Sequence, residues 1–278
     1  SAEYWRGDAA LIHTNLEDLG DVVEDPNVRI YHFAGTQHGT GSFPPNSVRA
    51  DGVKGHLPFN AVDYTPLLRA ALSNLDSWIR DGSAPPESKH PNFSECSAVD
   101  SLSLLTRFKE VPGVRVPSKV LNAMMLDYGS DLTKGRTTKL PPVEGKTYPA
   151  LVSDVDETLN EISGIRLPDI AVPVSTNTGW NPRHEDIGNK ELFIGITGGL
   201  AGWSLPLPVT EKDKIKYEDP RPSIQSLYPT KGYYMERVVC EIDRLIEEKY
   251  VLPEDKEMIK NQAEFRYDYV AKCGVDER

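Results

Sequence analysis

The stretch that decides the fold of this chain reads Asn27-Val28-Arg29-Ile30-Tyr31-His32-Phe33-Ala34-Gly35-Thr36-Gln37-His38-Gly39. Its β-branched and aromatic residues form a short apolar run that starts after Asp25-Pro26 and stops at Gly35, which is typical of a buried strand. His38 follows on a tight loop. A titratable side chain on a loop at the end of a rigid strand is a common position for a catalytic base. From this stretch alone, an ordinary loop histidine explains His38 equally well.

The composition bounds the class of protein. The chain has 278 residues, of which 38% are hydrophobic and 26% charged, as expected for a globular protein of one large or two small domains. A net charge of −11, with Lys and Arg scattered along the chain, argues against nucleic-acid binding. No stretch approaches the roughly 18 apolar residues of a membrane span. Because the chain starts at Ser1 without a methionine, a leader could be missing, and the compartment stays open.

The sequence predicts neither a metal nor a cofactor. Cys96, Cys240 and Cys273 are too scattered for a disulfide framework or a zinc site. Cys240 falls on the apolar side of a predicted helix and is expected in the core. The acidic residues between Asp154 and Glu161 lack the glycine and glutamate spacing of a calcium loop, so they predict a solvated hairpin turn.

The first helix is predicted after the long loop of residues 39–60. Asp63 or Thr65 can cap it, Pro66 suits its first turn, and Gly82 ends it. Its apolar residues recur at three- and four-residue spacing and are expected to cover a core: Leu67, Leu68, Ala71, Leu72, Leu75, Trp78 and Ile79.

The rest of the chain divides by its pattern. Residues 83–149 are rich in proline and predict an irregular excursion. Residues 148–155 and 161–174 predict two strands of a hairpin. Trp180 and Trp203 are expected to pack against an irregular segment, or alternatively to line a pocket. Two amphipathic helices predict a C-terminal helical hairpin, with inner faces of Tyr234, Val238, Ile242, Leu245 and Ile246, and of Met258, Ile259 and Phe265. The predicted divisions are 1–82, 83–232 and 233–278.

Nucleophilic hydrolysis requires an attacking atom, a base and an acid that orients the base. His38 is the candidate base, and Glu3 and Asp8 precede it as candidate acids. The order acid then histidine is that of α/β-hydrolases, in which a serine precedes both. The chain has no G-x-S-x-G motif and no cysteine before His38, and Ser204 lies after the histidine in an unsuitable context.

Several motifs together resemble a large α/β-hydrolase-domain family of mostly uncharacterised bacterial proteins. They occur in order over nearly the whole chain: residues 3–14 (beginning Glu3-Tyr4-Trp5), 28–39, 63–69, 164–168, Thr178-Gly179-Trp180-Asn181 and 219–223. Members of that family are longer, and their serine lies in an N-terminal half that has no counterpart here. The resemblance therefore implies an α/β fold, namely the C-terminal portion of an α/β-hydrolase sheet with a family-specific C-terminal region of irregular segments, a β-hairpin and a helical hairpin.

The resemblance also implies roles for single residues. His38 matches the catalytic histidine, Glu3 matches the acid of the Glu-Tyr-Trp motif, and Asp8 is the second choice for the acid. The implied activity is hydrolysis of a small-molecule carboxylic ester, with an N-terminal half, on the same or a cleaved chain, as the partner that supplies the serine. The alternative is a non-catalytic binding or interaction module in which His38 is structural. The role of Trp180 and Asn181 is not assigned.

Overall fold

The structure, a computed structural model, describes residues 1–15, 19–195 and 198–273, with the side chain of Cys273 outside the description. Its helices are α1 (Ala2–Trp5), α2 (Thr65–Asp81), α3 (Ser101–Phe108), α4 (Pro168–Ala171), α5 (Glu211–Tyr217), α6 (Ile224–Leu227), α7 (Lys231–Glu247) and α8 (Lys256–Cys273). Its strands are β1 (Thr14–Asn15), β2 (Gly20–Asp21), β3 (Ala98–Asp100), β4 (Met124–Asp127), β5 (Val143–Thr147), β6 (Leu151–Ser153), β7 (Ser175–Asn177) and β8 (Ser204–Pro206).

These strands form small sheets. In the described part of the chain they pair in four antiparallel two-stranded sheets, β1–β2, β3–β6, β4–β5 and β7–β8. Short strands joined by long irregular connections agree with the high proline count of 22, because proline cannot donate to a strand ladder. The regular elements thus mix helices with small sheets around a core built largely from loops.

The segment that carries His38 is extended but pairs only locally. Tyr31 and Phe33 form isolated parallel bridges, to Lys89 and to Ile165 respectively. The amide of His32 donates to the Lys89 carbonyl at 2.8 Å, and its carbonyl accepts from the Ile165 amide at 2.7 Å. The predicted strand is therefore held between two neighbours at two bridges rather than along a continuous ladder.

Gly35 ends this segment for a steric reason. Its φ of +63° lies in the left-handed region, and a Cβ at this position would meet Ile170 Cδ1 at 2.3 Å. Any larger residue would therefore displace the core under the turn that leads to His38.

Helix α2 ends as predicted, at Gly82 with φ +69°, but the structure contains neither the predicted cap nor the predicted buried face. Tyr64 occupies the N-cap position, and Asp63 Oδ1 accepts from the Thr65 amide at 3.0 Å without capping the helix. Of the predicted core residues, only Leu67 is buried, whereas Leu68, Leu72, Leu75 and Ile79 are exposed. The other buried residues of the helix are Pro66 and Ala70, so the helix packs against the core mainly through its first turns, and exposed Arg69 forms a bidentate pair with Asp255 at 2.6 and 3.0 Å.

The predicted hairpin of residues 148–174 was wrong in its pairing. Strand β6 pairs with β3, with Ala98 opposite Ser153, and residues 161–174 contain helix α4 instead of a strand. Only Val155 and Glu161 form a bridge across the turn. The stretch from residue 83 to 149, predicted as irregular, also contains the hairpin of β4 and β5 and the buried helix α3.

The C-terminal helices α7 and α8 occur where they were predicted and run antiparallel, because Lys231 pairs with Asp268 near one end and Asp243 lies beside Lys256 near the other. Two side chains were predicted wrongly. Cys240 is exposed, since it lies two residues from both Val238 and Ile242 and so points away from the buried face. Phe265 is exposed for the same reason, two residues after buried Ala263.

Two apolar clusters make up most of the core. The first joins α7 and α8 with residues 165–174 and the start of α2. The second joins α1, α3 and β6 with Trp180 and Trp203, which are 1% and 0% exposed. Both clusters combine residues from distant parts of the sequence, so packing crosses positions 82 and 232. None of the described helices is long and apolar enough to cross a membrane.

Phe108 lies at the centre of the second cluster, with its ring 6.4, 5.3 and 6.0 Å from the rings of Trp5, Trp180 and Trp203. We expect Phe108→Ala to destabilise the fold by about 3–5 kcal/mol, because it leaves a cavity among rigid rings. Denaturant unfolding followed by far-ultraviolet circular dichroism measures this. Leu102→Ala on the same helix, at an exposed position, should change stability by less than about 0.5 kcal/mol. Equal losses for the two variants would contradict this account of the cluster.

Candidate functional site

Glu3 on helix α1 and His38 after the extended segment lie side by side. Glu3 Oε1 is 2.6 Å from His38 Nδ1. An ionised carboxylate only accepts hydrogen bonds, so Nδ1 carries the hydrogen and Nε2 is the ring nitrogen left to accept a proton. The side chains are partly accessible, at 43% for Glu3 and 61% for His38. The pair therefore has the geometry of a base that is oriented by an acid and open to solvent.

The backbone of the histidine loop is fixed by contacts from two sides. The His38 amide donates to the Leu200 carbonyl at 3.3 Å, and the Tyr64 hydroxyl donates to the His38 carbonyl. The neighbouring Gln37 side chain accepts from the Gly202 amide at 3.1 Å. These contacts hold the imidazole over Glu3 although its ring is exposed.

The electrostatics of the pair favour an ionised Glu3. Burial by itself would raise the pKa of its carboxyl, but this pKa lies below its ordinary value, and the hydrogen bond from His38 is one cause of the lowering. Glu3 is thus a carboxylate at neutral pH, as an orienting acid must be.

The other candidates from the sequence have different partners. Asp8, the second choice for the acid, pairs with Arg6 Nε at 3.2 Å. Ser204 is buried, donates to Asn177 Oδ1 at 2.6 Å and accepts from the Ala61 amide at 2.9 Å. Glu3 is therefore the candidate that contacts His38, whereas Asp8 and Ser204 are bonded to other residues.

The pair lines an open cleft of about 380 Å³ between α1, the extended segment and Tyr64. Two aliphatic hydroxyls also line it, and both are engaged: Ser1 Oγ donates to Glu161 Oε1 at 2.6 Å, and Thr36 Oγ1 donates to the Phe33 carbonyl at 2.8 Å. Among the residues that the structure describes, no hydroxyl or thiol is bonded to the His38 ring. The cleft thus contains the candidate base and the candidate acid.

Glu161 is a residue of this site that sequence reasoning missed. It is 3% exposed, and its Oε2 accepts from the Gly35 amide at 2.7 Å and from His32 Nε2 at 2.8 Å. With Ser1 bonded to its other oxygen, Glu161 ties the start of α1 to the turn that leads to His38. Its sequence context is that of an ordinary acidic turn, and nearby Gly164 packs so closely that a Cβ there would meet the His32 carbonyl oxygen at 2.3 Å.

The charge state of this buried pair follows from its contacts. Burial alone would raise the pKa of the Glu161 carboxyl, but the His32 ring and the accepted hydrogen bonds lower it. Burial lowers the pKa of His32. An ionised Glu161 that accepts a hydrogen bond from a neutral His32 agrees with both shifts, the lowered pKa of Glu161 and the lowered pKa of His32. Among residues 1–15, 19–195 and 198–273, no group of three His, Cys, Asp or Glu side chains is arranged to hold a metal ion.

Comparison with known proteins gives one match. The profile of a family described as an alpha/beta hydrolase domain matches residues 13–261, a range that includes His38 and Glu161 and begins after Glu3. No curated protein and no solved structure matches the chain.

The Glu161 cluster predicts a pH-dependent stability. Because its folded pKa is depressed, Glu161 contributes stability above the unfolded pKa of about 4.3, and this contribution is lost as the pH falls towards the folded value. Glu161→Gln should cost about 1–3 kcal/mol at pH 7, since one buried donor loses its acceptor. The difference in melting temperature from the unmodified protein should shrink as the pH falls below 4.

Differential scanning calorimetry at pH 7, 5 and 3.5 measures that difference. Glu157→Gln, an exposed change four residues earlier, is the matched control and should leave the melting temperature nearly unchanged. A difference that stays constant across this pH range would show that the Glu161 charge does not stabilise the fold.

Proposed function

Because the chain belongs to the alpha/beta hydrolase domain family, we propose that it carries the acid and the base of a serine hydrolase, Glu3 and His38. The observation that carries the proposal is the 2.6 Å contact between Glu3 Oε1 and His38 Nδ1 at the edge of an open cleft. The proposed reaction is hydrolysis of a small-molecule carboxylic ester. The attacking serine would lie on a segment before Ser1 or on a partner chain.

The proposed roles follow from the orientation of the imidazole. Glu3 holds the hydrogen on Nδ1, so Nε2 takes the proton of the serine hydroxyl as its oxygen attacks the ester carbonyl. His38 then gives this proton to the departing alcohol, and an acyl-serine remains. In the second half, Nε2 takes a proton from water, whose oxygen attacks the acyl group. The carboxylic acid leaves, and the proton returns to the serine.

Two properties of the site support these roles. The lowered pKa of Glu3 keeps the acid ionised, so it stabilises the imidazolium that forms in each half-reaction. The exposed His38 ring leaves space on the Nε2 side for a nucleophile and a substrate. Esters fit this arrangement better than amides, since an alcohol leaves more readily than an amine from the tetrahedral intermediate.

A fluorophosphonate probe tests the proposal. The protein is purified from its source together with any chain that accompanies it, and the labelled residue is located by mass spectrometry. We expect one labelled serine outside residues 1–278. His38→Ala should slow labelling by about 10³-fold or more, and Glu3→Gln by about 10²- to 10⁴-fold, because the wrong tautomer of His38 is then favoured.

Asp8→Asn is the matched control, since its carboxylate pairs with Arg6 and not with His38. It should label as fast as the unmodified protein. If no serine is labelled in any accompanying species, or if labelling is unchanged in both site variants, the hydrolase proposal fails and a non-catalytic binding module replaces it.

A further inference from the structure

A second pocket, of about 250 Å³, shares helix α1 with the cleft. Ala2 and Trp5 line this pocket, whereas Glu3 of the same helix lines the cleft. The other described walls come from Lys119 and Leu121, from residues 179–183, from residues 192–195 and from Leu200. Separate parts of the chain therefore form one concave surface.

The walls of this pocket are apolar and aromatic. The rings of Trp5 and Trp180 lie 5.6 Å apart, and the Phe193 ring lies 6.1 Å from the first and 5.1 Å from the second. Leu121 and Ile194 extend the apolar lining. Trp5 and Trp180 are buried and Phe193 is partly buried, and rings in mutual contact hold a rigid shape, so the apolar part of a ligand would meet a preformed surface.

The charges at this pocket are of one sign. Arg6, Lys119 and Arg183 line it, and none of its described lining residues is acidic. Arg6 is paired with Asp8, and the Arg183 guanidinium donates to the Gly188 and Ile187 carbonyls. Lys119 is exposed and forms no ion pair with any residue that the structure describes. The charged side chains that line this pocket are therefore positive, although the chain as a whole has a net charge of −11.

We infer that this pocket binds an apolar monocarboxylate, with the chain against the aromatic walls and the carboxylate towards Lys119. Aromatic walls alone would also suit a quaternary ammonium ligand, but three cations at the same pocket oppose it. A small inorganic anion would gain nothing from the apolar walls. The volume lies just below the range of about 300–1,000 Å³ for drug-sized ligands, which fits a molecule of about ten non-hydrogen atoms.

The pocket lies beside the histidine loop. Leu200 lines it, and the Leu200 carbonyl accepts the hydrogen bond of the His38 amide. A bound monocarboxylate would therefore contact Leu200, which holds the backbone of His38, without entering the cleft. The walls and charges of this pocket support carboxylate binding whether or not the proposed hydrolase reaction is correct.

Isothermal titration calorimetry with octanoate at pH 7 and low salt tests the inference. We expect one octanoate per chain, with 1-octanol and octylammonium, which share the apolar chain, bound at least tenfold more weakly. Lys119→Met should weaken octanoate binding about three- to tenfold and leave 1-octanol binding unchanged, because only the anion loses its partner.

Gly195→Leu tests the location. A Cβ at this lining glycine meets no described atom within 4 Å, so a leucine has room there and should occupy part of the pocket, and octanoate binding should fall more than tenfold. Gly232→Leu is the matched control. It lies on α7, where the nearest atom to a Cβ is Thr230 Oγ1 at 3.7 Å, and it should bind octanoate normally. Octanol bound as tightly as octanoate, or unchanged binding in Gly195→Leu, would overturn the inference.

Discussion

The buried carboxylate of Glu161 connects the two segments on which the candidate site depends. It accepts hydrogen bonds from Ser1, which precedes helix α1, and from Gly35, which begins the turn to His38. Moving such a charge out of water costs several kcal/mol, and the bonds to Ser1, Gly35 and His32 offset that cost only when all the donors are in place. Glu161 therefore helps to set the distance between Glu3 and His38, although it is bonded to neither side chain.

Helix α1 lies between two concave surfaces. On one side Glu3 and His38 face an open cleft, and on the other side aromatic rings and cations line a second pocket. A helix of four residues has almost no stability of its own, so its position comes from burial of Ala2, Tyr4 and Trp5. The packing that forms the pocket wall also fixes the backbone of Glu3, and the two surfaces cannot move independently.

Local signals in the sequence predicted the features that local chemistry determines. Gly82 marks the end of α2, and the spacing of Tyr234, Val238 and Ile242 gives the buried face of α7. Features that depend on residues distant in the sequence could not be predicted from it. Strand β6 pairs with residues 98–100 rather than with its sequence neighbours, and α2 contributes Leu67 near its start to the cluster that residues 165–174 and the C-terminal helices form.

The same distinction between local signals and distant partners applies to the candidate site. His38 could be found because it follows an apolar run and a glycine, and the family resemblance singled out Glu3. Glu161 could not be found, since its pattern matches an ordinary acidic turn and its importance arises from His32, 129 residues away in sequence. Trp180 was an alternative pocket residue in the sequence and does line the apolar pocket, but the other rings and the cations come from separate segments that only the fold assembles.

The outward stripe of helix α2 has a consequence for protein engineering. Leu72 and Ile79 are 68% and 76% exposed, and Leu68 and Leu75 complete a row along the same face. Their side chains contribute little to internal packing, so the described part of the chain places almost no limit on their identity. Helix-favouring polar residues could stand at these four positions and reduce the apolar surface offered to water, while the buried contacts of Leu67 and Ala70 stay intact.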